Sequence, residues 1–320
     1  MTLDSGFATA PVVITGCQRS GTTLLRVMLG KHGALLEHPD EPQFILELYK
    51  RHGRAIKNTA AAISYITNHR YASDSVSYLA LKEALQLNSE LPLRDLIQAY
   101  IRIWAGDSVK NKRPILKDPA LILHLPLVRH LFPEATIVHI IRDPRANAFS
   151  QIIRWPRITV WQASQLWKRA VTLGQEWAKT QEIQYVEVRY EDLVQNPTKE
   201  LQSLCQHLQI TYTSEMLSFE QDTTLFAPDG TPRQVTHRTV DPSRLYLWKE
   251  HLTATDIRLI EHCCREEMKV YSYPLQNPIV PFRPYTIRLI REWAYYRFKM
   301  SGKVIKAIWR KLLWRLNLSG

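Results

Sequence analysis

The sequence predicts an α/β protein in which a central parallel sheet is flanked by helices. Three short apolar runs, at residues 11–15, 136–141 and 185–189, have the character of strands. Each is followed by a helical pattern, and strand–helix–strand repetition is typical of parallel sheets covered on both faces. Ligands of such sheets bind at the carboxyl ends of the strands, so the residues that follow each strand are the first candidates for a site.

The segments between and after these strands have apolar residues at helical spacing. Helices are predicted over residues 20–32, most of 44–104, 121–131, a segment opened by Pro144, 161–180, 197–208 and 253–271. Proline suits a first helical turn, because its fixed φ is already helical. Residues 114–116 are short and apolar, and residues 221–250 are rich in loops.

The charge of the 320-residue chain, formally +12, is unevenly placed. Residues 281–320 contain ten lysines and arginines and one acid, Glu292. We therefore expect an α/β body at 1–280 and a basic tail at 281–320, and no nucleic-acid partner for the body. The four cysteines do not form a disulfide framework or a metal-ligand pattern. With no signal peptide or apolar span in the sequence, we expect a cytoplasmic protein.

A glycine-rich loop, GCQRSGTT at residues 16–23, follows the first strand and opens a helix. Its N–H groups can point at an anion, and the helix N-terminus adds about half a positive charge. It resembles the nucleoside-triphosphate loop, which predicts a three-layer P-loop-type fold, but Thr22 stands in the lysine position. The alternative is an ordinary helix N-terminus after a buried strand. The predicted anion ligands are Arg19, Ser20, Gly21, Thr22 and Thr23.

A second cluster follows the strand at 136–141. Arg142 ends that strand, while Ser150 and Arg154 are four residues apart and share a helix face. One hydroxyl and two guanidiniums suit a dianion such as a phosphate monoester. A solvated basic face is the alternative.

Together, GCQRSGTTLLRVML and IIRDPRANAFSQIIR resemble the two nucleotide-binding signatures of the sulfotransferases, and most closely those of the tyrosylprotein sulfotransferases and their bacterial relatives. The resemblance is strong over 11–45 and 112–155, weaker to about 270, and absent after 280. It implies 3′-phosphoadenosine 5′-phosphosulfate (PAPS) as the donor, with the 5′-phosphosulfate at the first signature and the 3′-phosphate at the second. No metal is expected.

The resemblance also implies catalytic roles. Arg19 is expected to stabilise the 5′-phosphate and leaving oxygen, and Lys117, in Lys-Asp-Pro, the transferring group. Glu41 is the best match to the family's general base, with Glu37 and Asp40 as rivals. A helix cap is the alternative role for Glu41.

Nucleotide contacts from the C-terminal half are also implied by the resemblance. Arg238 is the candidate ligand there, with Thr236 and His237 beside it. The acceptor is expected to be a hydroxyl or an amine. A peptide tyrosine, a carbohydrate and a lipid hydroxyl are all open, with segments 44–104, 156–165 and 221–245 expected to bind it.

Tryptophans and leucines lie between the cations of the tail and recur at helical spacing in VIKAIWRKLLWRLNL. This pattern favours an amphipathic helix on an anionic membrane, which would make the protein peripheral on the inner membrane face. Packing on the body or on another protomer is the alternative. A P-loop kinase or NTPase and a non-catalytic membrane-surface adaptor are the rival functions.

Overall fold

The computed structural model describes residues 10–85, 90–180, 184–218 and 242–276. The tail at 281–320 and the segment with Thr236, His237 and Arg238 lie outside these ranges, so the predictions on them remain predictions. The strands are β1 Val12–Thr15, β2 Leu35–Glu37, β3 Ala55–Ile56, β4 Leu91–Pro92, β5 Arg113–Lys117, β6 Thr136–Ile141 and β7 Gln184–Arg189.

The helices lie between and after these strands. They are α1 Thr22–Gly30, α2 Phe44–His52, α3 Thr59–Thr67, α4 Tyr78–Ala84, α5 Leu93–Ala105, α6 Leu125–Leu131, α7 Pro144–Arg154, α8 Val160–Thr180, α9 Tyr190–Gln195, α10 Pro197–Leu208, α11 Trp248–His251, α12 Ala254–Cys263 and α13 Arg265–Val270.

Five parallel strands form the central sheet, in the order β2-β5-β1-β6-β7. Because side chains alternate along a strand, the sheet feeds two separate apolar layers. Val13 and Ile137 belong to the layer under α7 and α8, and Ile14 and Val138 to the layer under α1 and α10. The predicted α/β fold with a parallel sheet between helices is therefore confirmed.

Several elements differ from the prediction. The sequence did not predict β2, and the segment predicted as all-helical contains the antiparallel pair β3–β4. The helix predicted at 121–131 starts as a 3₁₀ turn over Pro119–His124. The helix predicted at 253–271 is interrupted at Cys264, whose backbone (φ −109°, ψ 11°) is not helical. Runs of two or three strand residues are too short to show an alternating pattern.

The helical insert is residues 44–105, which lie in the connection from β2 to β5 and comprise α2 to α5 and the β3–β4 pair. Its apolar side chains pack into the same layer as α7 and α8. Phe44 meets the Tyr100 ring edge-on at 4.7 Å between ring centroids, which joins α2 to α5. The insert thus lies over one face of the sheet and begins three residues after Glu41.

Candidate active site

The candidate residues gather at one edge of the sheet because the strands are parallel. Gly16 follows β1, Lys117 ends β5, Arg142 follows β6 and Tyr190 follows β7. In a parallel sheet these carboxyl ends form a common rim. The structure therefore brings together the two signatures, which are more than a hundred residues apart in sequence.

The glycine-rich loop is curled tightly before α1. The Ser20 N–H donates to the Cys17 carbonyl over 3.1 Å, and Arg19 (φ 71°) and Gly21 (φ 102°) have left-handed backbones. Within the described residues no side chain caps α1 at Gly21. The N–H groups of the first turn have no intrahelical acceptor and stay available for an anion. The loop backbone thus has the curled form that an anion site requires, and anion binding by these residues stays a prediction.

Two glycines let this loop approach its neighbours closely. A Cβ on Gly16 (φ 151°) would overlap the Ile140 carbonyl oxygen of β6. A Cβ on Gly21 would overlap the Tyr190 ring. The absence of side chains at these positions sets how near the loop lies to β6 and α9.

Gly16→Ala is expected to lower the free energy of unfolding by about 3–5 kcal/mol, because backbone strain adds to the overlap with β6. Gly53→Ala is the matched control, since Gly53 also has a positive φ (69°), but a Cβ there would meet no described atom within 4 Å. With φ/ψ of 69° and −139° this position is strained for alanine, but without an overlap the change should cost only about 1–3 kcal/mol. Urea denaturation measures both, and equal losses would contradict the close packing of the loop on β6.

The second cluster adjoins the first. The Arg142 guanidinium lies 4.5 Å over the Tyr190 ring and donates through Nη1 to the Arg19 carbonyl over 3.2 Å. The Trp167 indole donates to the Arg142 carbonyl over 2.8 Å and fixes the end of β6. Ser150 Oγ accepts from Arg19 Nε over 3.0 Å. Arg19 therefore belongs to the loop through its backbone and to the second cluster through its guanidinium.

Three cations share this cluster. Burial lowers the pKa of Arg19, and the charges of Arg142 and Arg154 lower it further. Within the described residues, Arg19 and Arg142 contact a hydroxyl, a carbonyl and an aromatic ring, and neither pairs with a carboxylate. Arg154 is exposed beside them. An anion would relieve this mutual repulsion, so the cluster suits a dianion.

Lys117 lies between the loop and Glu41. Its Nζ forms a close ion pair with Glu41 Oε1 and donates to Thr23 Oγ1 over 3.3 Å. The Lys117 side chain is 4% exposed and that of Glu41 28%. Gln43 donates to the other Glu41 oxygen over 3.0 Å. One buried ammonium therefore connects the phosphate loop with a carboxylate that solvent can still reach.

The charges of this pair depend on each other. Burial raises the pKa of Glu41, but the Lys117 ammonium outweighs it and holds the pKa below the ordinary value. Burial lowers the pKa of Lys117, and Glu41 opposes that change. Glu41 is therefore ionised near neutral pH as long as the Lys117 ammonium lies beside it.

The Lys-Asp-Pro motif ends β5 in a defined turn. Asp118 Oδ1 accepts from the Ala120 N–H over 2.9 Å and caps the 3₁₀ turn that Pro119 opens. Thr15 Oγ1, at the end of β1, donates to the Asp118 carbonyl over 3.0 Å. This cap and cross-link fix the backbone from which Lys117 extends.

Arg26, on α1, holds the segment that carries the candidate base. Its Nη1 donates to the carbonyls of His38 (3.2 Å) and Pro39 (2.8 Å), and its Nε pairs with Glu37 at 2.9 Å. Arg26 is buried, so these hydrogen bonds and this ion pair are shielded from water. Of the three candidate carboxylates, Glu37 is thus paired with Arg26, whereas Glu41 is paired with Lys117. Asp40 is half-buried.

The remaining predicted loop ligands have different surroundings. Ser20 is buried and its hydroxyl accepts from Asn147, while Thr22 is also buried.

Sequence reasoning did not identify Arg26, Asn147 or Tyr190 as part of this site. Their partners are distant in sequence, so no local pattern marks them.

The model of the sulfotransferase family matches residues 11–214, which include the loop, Glu41, Lys117 and the second cluster. The chain belongs to the sulfotransferase family. This confirms the resemblance read from the two signatures and the expectation that this is a sulfotransferase enzyme.

Two curated proteins that are similar in sequence to this sulfotransferase are protein-tyrosine sulfotransferases. A protein-tyrosine sulfotransferase of Drosophila melanogaster is 27% identical over 237 residues, 72% of this chain and 44% of the relative. Protein-tyrosine sulfotransferase A of Caenorhabditis elegans is 27% identical over 230 residues, 68% of this chain and 55% of the relative. The chain thus spans about half the length of these two relatives.

Solved structures share the fold of this sulfotransferase. The sulfotransferase domain from the curacin biosynthetic pathway has a TM-score of 0.59 and 21% identity, over 83% of this chain and 99% of that one. The sulfotransferase domain from the Synechococcus PCC 7002 olefin synthase has a TM-score of 0.57, also at 21% identity, over 83% and 96%. The predicted P-loop-type fold is confirmed. Within the described part of the chain, no helix is long and apolar enough to cross a membrane.

Proposed function

We propose that this sulfotransferase transfers the sulfuryl group of PAPS to a tyrosyl hydroxyl of a protein, with Glu41 as the general base. The observation that carries the proposal is the position of Lys117, whose ammonium contacts Thr23 of the phosphate loop and Glu41. A cation at this point lies beside both the donor loop and the group that would take the acceptor proton.

The donor is assigned from the two anion sites. The N-terminus of α1, with Thr22 and Thr23, suits the 5′-phosphosulfate, since no side chain among the described residues caps it. Arg142, Ser150 and Arg154 suit the 3′-phosphate, and Arg19 reaches from the first site to the second. Two adjoining sites for two phosphates favour a bisphosphorylated nucleotide over a triphosphate, which a P-loop lysine would bind.

Glu41, Lys117 and Arg19 would each have a different role in an in-line displacement at sulfur. Glu41 takes the proton of the acceptor hydroxyl while the oxygen of that hydroxyl forms a bond to the sulfur of PAPS. The bond from sulfur to the bridging oxygen of the donor breaks, and the bridging oxygen leaves with the electron pair. Lys117 and Arg19 stabilise the charge on the sulfuryl and leaving oxygens. When Lys117 turns towards the sulfuryl group, burial raises the pKa of Glu41 and makes it a stronger base.

The acceptor class is supported by the names of the relatives, which are protein-tyrosine sulfotransferases. The test is incubation with labelled PAPS and three acceptor types: a tyrosine-containing peptide, an oligosaccharide and a lipid hydroxyl. Label on the peptide, lost when its tyrosine is changed to phenylalanine, is the expected result. Label on the sugar or lipid alone would reject the acceptor class, and no label from PAPS on any acceptor would reject the proposal.

Arg142→Ala is expected to weaken binding of adenosine 3′,5′-bisphosphate by about 10- to 100-fold, the loss of one charge-assisted contact. Binding of adenosine 5′-phosphate, which lacks the second phosphate, should change much less. Titration calorimetry measures both, with Arg169→Ala, an exposed arginine on α8, as the control. Equal weakening of both nucleotides would contradict the 3′-phosphate assignment.

A further inference from the structure

Asn147 is a buried amide that joins α7 to the phosphate loop. It is 0% exposed and lies on the turn of α7 before Ser150. Its Nδ2 group donates to the Gln18 carbonyl over 2.9 Å and to Ser20 Oγ over 3.0 Å. Both acceptors belong to the glycine-rich loop, so one side chain contacts the loop at two points.

The carbonyl end of Asn147 is fixed as well. Gln151 Nε2 donates to Asn147 Oδ1 over 2.6 Å, and Cys17 Sγ lies 3.5 Å from the same oxygen. Burial raises the pKa of Cys17 to about 12, so its thiol keeps the proton that it donates. All four hydrogen-bonding positions of the amide are thus occupied, which leaves it one orientation.

The contact with the Gln18 carbonyl has a consequence for the loop. In a trans peptide the carbonyl and the next N–H point in opposite directions. Because Asn147 draws the Gln18 carbonyl towards α7, the Arg19 N–H points away from α7. The amide therefore helps to set the direction of a loop N–H group, and it stabilises the left-handed backbone of Arg19, which is strained for a residue with a side chain.

We infer that Asn147 is a positioning residue that couples the two phosphate-binding elements, holding the loop in its ligand-binding conformation at a fixed distance from the Arg142–Ser150–Arg154 cluster. This inference rests on the proposed function, since it assumes a donor that occupies both elements at once. Asn147 does not touch the donor; it acts through Gln18 and Ser20.

The test compares Asn147→Leu and Asn147→Asp with Gln98→Leu. Gln98 is the matched control, a buried amide (4% exposed) that donates to the Leu131 carbonyl over 3.2 Å, away from the loop. Loss of two hydrogen bonds that hold the loop should raise the KM for PAPS about tenfold or more. The KM for the acceptor should stay unchanged. Gln98→Leu should lower the melting temperature without changing the KM for PAPS.

Binding of adenosine 3′,5′-bisphosphate separates the outcomes. A folded Asn147 variant that binds this nucleotide as tightly as the wild type would overturn the inference alone. If Asn147→Leu does not fold, Gln151→Leu decides, because it keeps Asn147 but frees its carbonyl; unchanged affinity there would also overturn the inference. A wild-type protein that does not bind the nucleotide would overturn the proposed function and the inference with it.

Discussion

Glu41→Gln is expected to lower kcat by about 10²- to 10⁴-fold, the usual contribution of a general base. Glutamine keeps the size of the side chain and one oxygen that can accept from Lys117, whereas its NH2 group replaces the oxygen that accepts from Gln43. It cannot take the proton of the acceptor hydroxyl. Affinity for adenosine 3′,5′-bisphosphate should stay within about twofold, because Glu41 is not among the phosphate ligands. Single-turnover kinetics and titration calorimetry give the two quantities.

Glu37→Gln is the control for this experiment. Glu37 is also a carboxylate paired with a buried cation, Arg26, at 2.9 Å. Its loss should destabilise the fold through Arg26 and leave most of kcat in the protein that remains folded. Normal turnover in Glu41→Gln, or loss of turnover in Glu37→Gln alone, would assign the base to another carboxylate.

Lys117→Met should reduce kcat by about 10²- to 10³-fold, because a buried cation beside the transferring group is lost. It should also move the acid limb of the residual activity. In the wild type the Lys117 ammonium holds the pKa of Glu41 below its ordinary value. Without it burial dominates and the pKa rises, so Glu41 becomes protonated and inactive at a higher pH than in the wild type.

The pH dependence of kcat/KM measures this shift. Lys50→Met is the control, since Lys50 is an exposed lysine on α2 whose charge acts on the buried carboxyl of Asp118. It should leave both kcat and the acid limb near wild-type values. An acid limb that stays in place in Lys117→Met would mean that Glu41 is not the group titrating in that limb.

Strands β1 and β6, which lead into the two signatures, were predictable because every residue in them is buried. β6 was predicted with its observed bounds, because a run of six apolar or uncharged residues between loops is too short for most helices and is typical of a buried strand. The loop at 16–23 and the Arg142–Ser150–Arg154 trio were equally visible, because each is a local pattern. Their proximity followed from the parallel topology alone.

Other parts of the site depend on contacts that no local pattern encodes. In the sequence Arg26 is a single polar residue in an otherwise apolar helix, but in the structure it donates hydrogen bonds to the segment before Glu41. Asn147 reads as an ordinary helix residue, yet it is buried against the loop. β2 has three residues, and its strand conformation comes from pairing with β5 rather than from its own sequence.

The helical insert has a consequence for how this enzyme could diversify. It occupies one uninterrupted stretch of chain between β2 and β5, whereas the proposed phosphate ligands and Lys117 lie outside that stretch. We propose that the insert contributes to acceptor binding, so that exchange of this one segment would change part of the substrate preference and leave the proposed phosphate ligands and Lys117 in place. A chimera that takes residues 44–105 from another family member should keep its dependence on PAPS, and its acceptor selectivity should shift towards that of the segment's source.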